Sequence, residues 1–310
     1  MRQAEVKKKF SRTFGNKKTG NIQWDVIYCG GILTNQPEGT ILDRIKRNER
    51  LAALTKLLTA SPNRIHTLSH FCEMFGAAKS TLSEDIDILG DVYKAFGLGR
   101  LDTVTGAAGG VRYRPFIERE QAVAFLQGLC EELQTPSRLL PGGFLYLSDI
   151  LSMPDIVRQM GIIIAGQFYD AAPDFVLTME TKGIPVALMT AQSMGVPLVI
   201  ARRSSKVYEG SAVNINYVSG SSGHIETMSL SRRAVKEGQR ALIVDDFLKA
   251  GGTAKGMIDL MSEFNVEVVG TAFVMATAHN ANRVIHGEKS LMIMDEPQGG
   301  KLSIKPAEWL

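Results

Sequence analysis

Three cysteines in 310 residues, Cys29, Cys72 and Cys130, are too few and too scattered for a disulfide framework or a thiolate metal site. The five histidines show no ligand spacing, so no metal site is expected. No apolar run reaches the roughly 20 residues of a membrane span, and no secretory signal opens the chain. The expectation is a cytoplasmic protein with no membrane partner. Two phosphate-binding signatures are also missing. The chain has neither the P-loop pattern Gly-x-x-x-x-Gly-Lys-Ser/Thr nor the Gly-x-Gly-x-x-Gly dinucleotide fingerprint.

What it has is the stretch Ala241-Leu-Ile-Val-Asp-Asp-Phe-Leu-Lys-Ala-Gly-Gly-Thr-Ala254. The apolar run Ala241–Val244 predicts a buried parallel strand. Asp245 and Asp246 follow, then a small-residue loop, Lys249, Ala250, Gly251 and Gly252, and a helix opened by Thr253. Backbone N–H groups of such a loop and the positive end of a helix cradle phosphate, and a Cβ would block the approach. Adjacent carboxylates can accept hydrogen bonds from a sugar diol. Phosphate and diol together describe a ribose 5-phosphate, and the stretch resembles the phosphoribosyl pyrophosphate (PRPP) motif of type I phosphoribosyltransferases.

A second loop, Thr178-Met-Glu-Thr-Lys-Gly183, also leaves a predicted strand, 174–178, and opens a helix, 183–195. Thr178, Thr181, Lys182 and Gly183 could hold a second anion. Two anion loops flanking a diol binder fit PRPP, with Mg²⁺ as the cation that would accompany its pyrophosphate. Around them, strands at 197–202, 240–244 and 266–276 alternate with helices, which predicts a mostly parallel α/β sheet with ligands at the strands' carboxyl ends. The Gly/Ser-rich stretch 208–231 reads as a long hairpin loop, either closing over a ligand or simply exposed.

The N-terminal part differs in charge. Residues 1–115 hold 18 Lys and Arg against 11 Asp and Glu, whereas residues 116–310 hold 17 against 21. Residues 1–40 read as a basic, poorly ordered extension that either touches DNA phosphates or is a dispensable tail. From 41 to 115 three helices are expected. The first starts near Asp43 with Arg44, Lys46, Arg47 and Arg50 at its front and an apolar stripe at Leu51, Leu54, Leu57 and Leu58. The second spans 67–75. The third begins at Ser80 or Thr81 with a Thr81–Glu84 capping box and apolar positions Leu82, Ile86, Leu89, Tyr93 and Phe96. Two short strands joined by Gly106-Ala-Ala-Gly-Gly110 complete a winged helix-turn-helix. Lys79, Ser80, Thr81 and Ser83 would then face the major groove, and Arg112 and Arg114 on the wing the backbone. The acidic Glu84, Asp85 and Asp87 must point elsewhere. A three-helix interaction or dimerisation domain is the alternative.

Both halves together resemble the purine operon repressor family of Gram-positive bacteria. The matching blocks are Ala77-Ala-Lys-Ser80 with Ser83-Glu-Asp85, Gly106-Ala-Ala-Gly-Gly-Val111, Leu140-Pro-Gly-Gly143, Thr181-Lys-Gly-Ile-Pro185, Asn216-Tyr-Val-Ser-Gly-Ser-Ser222 and Asp245–Thr253. The resemblance implies a winged helix followed by a type I phosphoribosyltransferase-like effector domain, 116–310. It implies a homodimer on double-stranded operator DNA of purine genes, with PRPP as the effector that lowers DNA affinity and no catalysis. The alternative is an active purine phosphoribosyltransferase with an accessory winged helix. Two regions depart from the family pattern, the 1–40 extension and the tail after Glu288, where a hood over a base would be shaped.

Overall fold

The computed structural model describes residues 45–106, 109–140, 144–205, 210–219, 223–278, 283–295 and 302–310. The 1–40 extension, Arg44, the tip of the wing and parts of the Leu140–Gly143, 208–222 and 294–300 stretches lie outside them.

Helices α1 (Arg47–Ala60), α2 (Leu68–Phe75) and α3 (Lys79–Ala95) precede an antiparallel pair, β1 (Arg100–Val104) and β2 (Gly110–Arg114). Arg100 lies opposite Arg114 and Val104 opposite Gly110. The core of this module is Leu54, Leu58, Phe71, Leu82, Ile86, Leu89, Tyr93 and Val111. It forms because each helix repeats apolar residues at three- and four-residue spacing and turns that stripe inward. Thr67 caps α2, its Oγ1 accepting the His70 N–H at 3.2 Å. Two expectations fail. The helix α3 starts at Lys79 after Ala78, so Thr81 sits inside the first turn and no capping box forms. Phe96 lies past the last helical residue and is 74% exposed.

The remainder is built on a six-stranded sheet of order β12-β11-β10-β9-β5-β6. Its strands are β5 (Phe175–Met179), β6 (Leu198–Ala201), β9 (Arg240–Leu248), β10 (Glu267–Thr277), β11 (Lys289–Met294) and β12 (Ile304–Pro306). All neighbours are parallel except β11 with β12. The flanking helices are α4 (Arg119–Leu133), α5 (Pro154–Phe168), α6 (Ile184–Met194) and α7 (Gly252–Ser262). Two small antiparallel pairs complete the body: β3 (Leu139–Leu140) with β4 (Phe144–Leu145), and β7 (Ala212–Val218) with β8 (Ile225–Ser231).

The central strand β9 shows why its sequence reads as an unbroken apolar run. Leu242 and Val244 pack into one core layer, and Ala241 and Ile243 into the other. Burial on both faces removes the need for alternation. After β5 the chain turns through α6 to β6 on one side; β9 returns on β5's other side and leads away to β10 and β11. The gap between β5 and β9 is thus the topological switch point, where loops diverge and leave a crevice at the carboxyl ends.

Candidate ligand cleft and nucleic-acid interface

A cleft of about 370 Å³ opens at that switch point. One wall is the loop after β5. Thr181 and Lys182 are exposed there, with Glu180 beside them. The Glu180 carboxylate is held by the Arg203 N–H at 2.8 Å and the Arg202 guanidinium at 3.6 Å. Thr178 and Gly183, expected to touch a ligand, do not line the cleft. Both lie behind its wall. Thr178 is fully buried, and a Cβ on Gly183 would overlap Asp245 Oδ1 and come within 2.6 Å of Thr178 Oγ1. Gly183 is needed so that the acid pair can sit against the start of α6.

The floor is Asp245 and Asp246. Both belong to β9, which runs on through Leu248 rather than ending at Val244. Asp245 lies opposite Phe273 of β10, and its Oδ1 accepts the Asp246 N–H at 3.0 Å. Burial raises the pKa of Asp245 well above the ordinary carboxylate range, and the neighbouring Asp246 charge adds to it. Asp246 is also raised, again by burial, opposed by its bond to Asp245 and by the Lys182 charge. Two carboxylates held at this cost are poised to gain from a donor or cation that enters the cleft.

The other wall is Lys249–Gly252. Gly251 adopts φ 87°, a left-handed conformation that turns the chain from strand to helix, and no side chain caps the first turn of α7. The uncapped first turn, Gly252 and Thr253, lines the cleft, and such a turn offers N–H groups suited to an anion. The loop is braced from behind. Val284 N–H donates to Ala250 O at 3.0 Å and Thr277 Oγ1 to Lys249 O at 3.3 Å.

Sequence reasoning missed a third group of cleft residues. Tyr217 OH donates to Glu226 Oε2 at 2.9 Å, and Arg203 Nη1 pairs with the same oxygen at 3.2 Å. Burial, with the Glu226 bond second, pushes the Tyr217 hydroxyl up to about 12. The Gly/Ser-rich composition signalled a loop, but only the β7–β8 register, Tyr217 opposite Glu226, brings these side chains together. Leu145, Leu147, Phe273 and Met294 add apolar lining to the cleft.

In the three-helix module Lys79, Ser80 and Ser83 are exposed on the first turn of α3, with Thr81 half-buried, and Lys46 is exposed at the start of α1. That turn has no side-chain cap either. Two acidic residues of α3 are neutralised from α1, whereas Asp87 and Asp91 stay exposed. Glu84 takes Arg47 at 2.7 Å, and the buried Asp85 takes Arg50 at 2.7 Å and Arg47 at 3.2 Å. The wing arginines differ from expectation. Arg112 pairs with Asp102 at 3.3 Å and Arg114 with the same carboxylate at 3.1 Å. Arg114 Nε also donates to Asn63 Oδ1 at 3.0 Å, and its guanidinium lies 4.7 Å from the Tyr169 ring centroid. With 17% of its side chain exposed, Arg114 belongs to the joint with the sheet domain, not to a DNA-facing surface.

Comparison with known proteins follows this division. A family described as "Bacterial purine repressor, N-terminal" matches residues 46–115, and "Phosphoribosyl transferase domain" matches residues 147–298. The purine biosynthesis transcriptional repressor PurR of Bacillus subtilis is 43% identical over 251 residues, covering 81% of this chain and 88% of that protein. The purine biosynthesis transcriptional activator PurR of Lactococcus lactis subsp. lactis is 41% identical over 251 residues, 81% of this chain and 93% of that protein. A xanthine phosphoribosyltransferase of Deinococcus deserti is 28% identical over 162 residues, 51% of this chain and 84% of that enzyme. With both parts matched in order and more than four-fifths of the chain aligned, it belongs to the PurR family of purine biosynthesis transcriptional regulators.

Proposed function

We propose that the chain is a cytoplasmic, homodimeric, DNA-binding regulator of purine biosynthesis genes whose effector is PRPP, and that PRPP lowers its affinity for operator DNA. The observation that carries this is the buried acid pair at the switch point, set between two loops suited to anions. Asp245 and Asp246 accept hydrogen bonds from the ribose diol, the amides from Ala250 to Thr253 with Lys249 take the 5-phosphate, and Thr181 and Lys182 meet the pyrophosphate. Among the described residues no group of three or more His, Cys, Asp or Glu could hold a metal ion. Mg²⁺, where it accompanies PRPP, would be held chiefly by the ligand's own oxygens beside Asp245 and Asp246.

On the DNA side, Lys79, Ser80, Thr81 and Ser83 at the uncapped end of α3 enter the major groove, and Lys46 approaches the phosphates. PRPP and DNA prefer different states of the protein, so each weakens the other by the same factor. The sign of regulation at a promoter depends on where the operator lies, which accords with relatives named both repressor and activator.

A second reading, an active phosphoribosyltransferase, draws on the likeness to xanthine phosphoribosyltransferases and on the apolar side chains that line the cleft. One experiment separates the two. The anisotropy of a labelled purine-promoter duplex is followed at fixed salt with and without PRPP–Mg²⁺, and released pyrophosphate is scored in the same tubes with purine bases added. DNA release without pyrophosphate is the expected result. Base-dependent pyrophosphate formation would make the chain an enzyme first, and PRPP binding with unchanged DNA affinity would overturn the regulatory reading.

A further inference from the structure

The helix α6 touches the effector cleft at one end and the DNA-binding module at the other. Its first residue follows Lys182 and Gly183, and Gly183 is packed against Asp245. Its last, Met194, offers a carbonyl with no partner further along the helix, as every helix C-terminus does. That carbonyl accepts a hydrogen bond at 2.9 Å from Asn63 Nδ2, 131 residues earlier in the chain. Eleven helical residues span about 16 Å at 1.5 Å each.

Asn63 is a three-way pin. Its backbone N–H donates to Tyr113 O at 2.7 Å, its Oδ1 accepts from Arg114 Nε at 3.0 Å, and its Nδ2 reaches Met194. It does so at φ 57°, a left-handed conformation that a non-glycine residue adopts at some cost. Next to it Gly195, at φ 68°, faces Pro62 so closely that a Cβ would overlap the Pro62 carbonyl. Tyr169, at the end of α5, completes the joint by donating to Pro115 O at 2.9 Å and lying 3.3 Å from Ser193 O. The helices α5 and α6 are tightly packed, since Gly161 of α5 meets the Met189–Thr190 backbone of α6 with no room for a Cβ.

We infer that α6, gripped by Asn63, is the element through which the cleft and the DNA-binding module sense each other. A ligand that draws the 181–183 loop and the acid pair together shifts the start of a stiff helix. The far end then displaces the turn at 61–63, which carries α1 and, through Tyr113 and Arg114, the wing. Asn63 is a positioning residue. It touches neither ligand.

The inference rests on the PRPP reading, and its test keeps the two apart. Asn63→Gly retains the left-handed turn but removes both side-chain bonds; Gly195→Ala wedges the joint from the effector side. In full-length protein, operator affinity is measured by anisotropy with and without saturating PRPP–Mg²⁺, and PRPP affinity separately by calorimetry. The expected result is that Asn63→Gly binds each ligand within about twofold of wild type while the PRPP-induced change in operator Kd shrinks by at least about fivefold. Should Asn63→Gly lose operator binding altogether, Gly195→Ala must show the same collapse of the response with operator binding retained. A wild-type response that survives both substitutions overturns the inference alone. A wild-type chain that binds PRPP with no change in operator affinity overturns the effector reading, and the inference with it.

Discussion

The Asp85 carboxylate is completely buried on α3, 2.7 Å from Arg50 Nε and 3.2 Å from Arg47 Nε. Arg50 is nearly as buried and also donates to Ile45 O at 2.9 Å. Replacing Asp85 by Ala leaves the Arg50 guanidinium inside the module without its counter-ion. Breaking a buried pair from one side costs about 3–5 kcal/mol. Against a domain stability of about 5–15 kcal/mol, this is enough to populate unfolded module at ordinary temperature. The two tryptophans of the chain lie outside the module, so fluorescence would miss the event. Amide hydrogen exchange along α3 reports it directly. Asp85→Ala should raise exchange of the most protected α3 amides by roughly two to four orders of magnitude, from 1.4 kcal/mol per tenfold. Operator affinity should fall with it while PRPP affinity stays. Removing both partners, Asp85→Leu with Arg50→Met, should recover most of the protection, because no uncompensated charge remains. A single substitution costing less than about 1 kcal/mol, or a double as damaging as the single, would refute the argument that this bridge locks α3 to α1.

Gly183→Ala should push the acid pair off its seat at an overpacking cost of about 1–3 kcal/mol, lowering PRPP affinity about tenfold in calorimetry; unaltered PRPP affinity would count against the placement of Gly183. His66 is buried, with Ser61 Oγ 2.8 Å from its Nε2. Burial, then the Arg64 and His70 charges, lower its pKa from 6.5 to about 4. A depressed histidine contributes stability that is complete above 6.5 and fades as pH falls toward 4. Up to roughly 3 kcal/mol is lost across that window. Exchange protection in α2 and β2 should fall accordingly, and a flat profile would show that His66 titrates normally. Lys79→Ala should weaken operator binding and reduce the slope of log Kd against log salt by about 0.9; an unchanged slope would remove Lys79 from the interface.

Much of the module was legible because helix periodicity is local. Leu82, Ile86, Leu89 and Tyr93 follow one stripe and all are buried. The stripe says where the core is but not where the helix stops, so Phe96 was misplaced. The end of β9 was misread for a different reason. A strand lasts as long as a neighbour pairs with it, and β10 pairs as far as Leu248 with Ala276, well past the point where the apolar run gives way to acids. The tail was the largest miss. The strand β11 and three-residue β12 join the sheet, and Leu302, Ile304, Ala307 and Leu310 pack into the larger core. Trp309 Nε1 donates to Ser290 O at 2.7 Å. Strands this short carry little signal before their partners are known.

The cleft was readable where its parts are contiguous and unreadable where they are not. Asp245, Asp246 and the 249–253 loop form one stretch of chain, whereas Arg203, Tyr217 and Glu226 meet only through hairpin register. Charge misled in the same way. A cluster of arginines ahead of a helix and on a hairpin looks from sequence like a phosphate-binding face. In the fold Arg47, Arg50, Arg112 and Arg114 each face a carboxylate of the same module. Their charge offsets Glu84, Asp85 and Asp102, so on the proposed DNA-binding reading these acids repel phosphates less than the sequence suggests. The formal excess of the N-terminal part therefore overstates the module's pull on phosphates. On the proposed reading, what the described residues offer DNA includes exposed groups such as Lys46 and Lys79 with the uncapped first turn of α3. Modest salt dependence and a large share of affinity from direct contacts are then expected for this module, and a steep salt dependence of the full-length protein would point to basic residues before it, such as the lysines at 7–9 and 17–18.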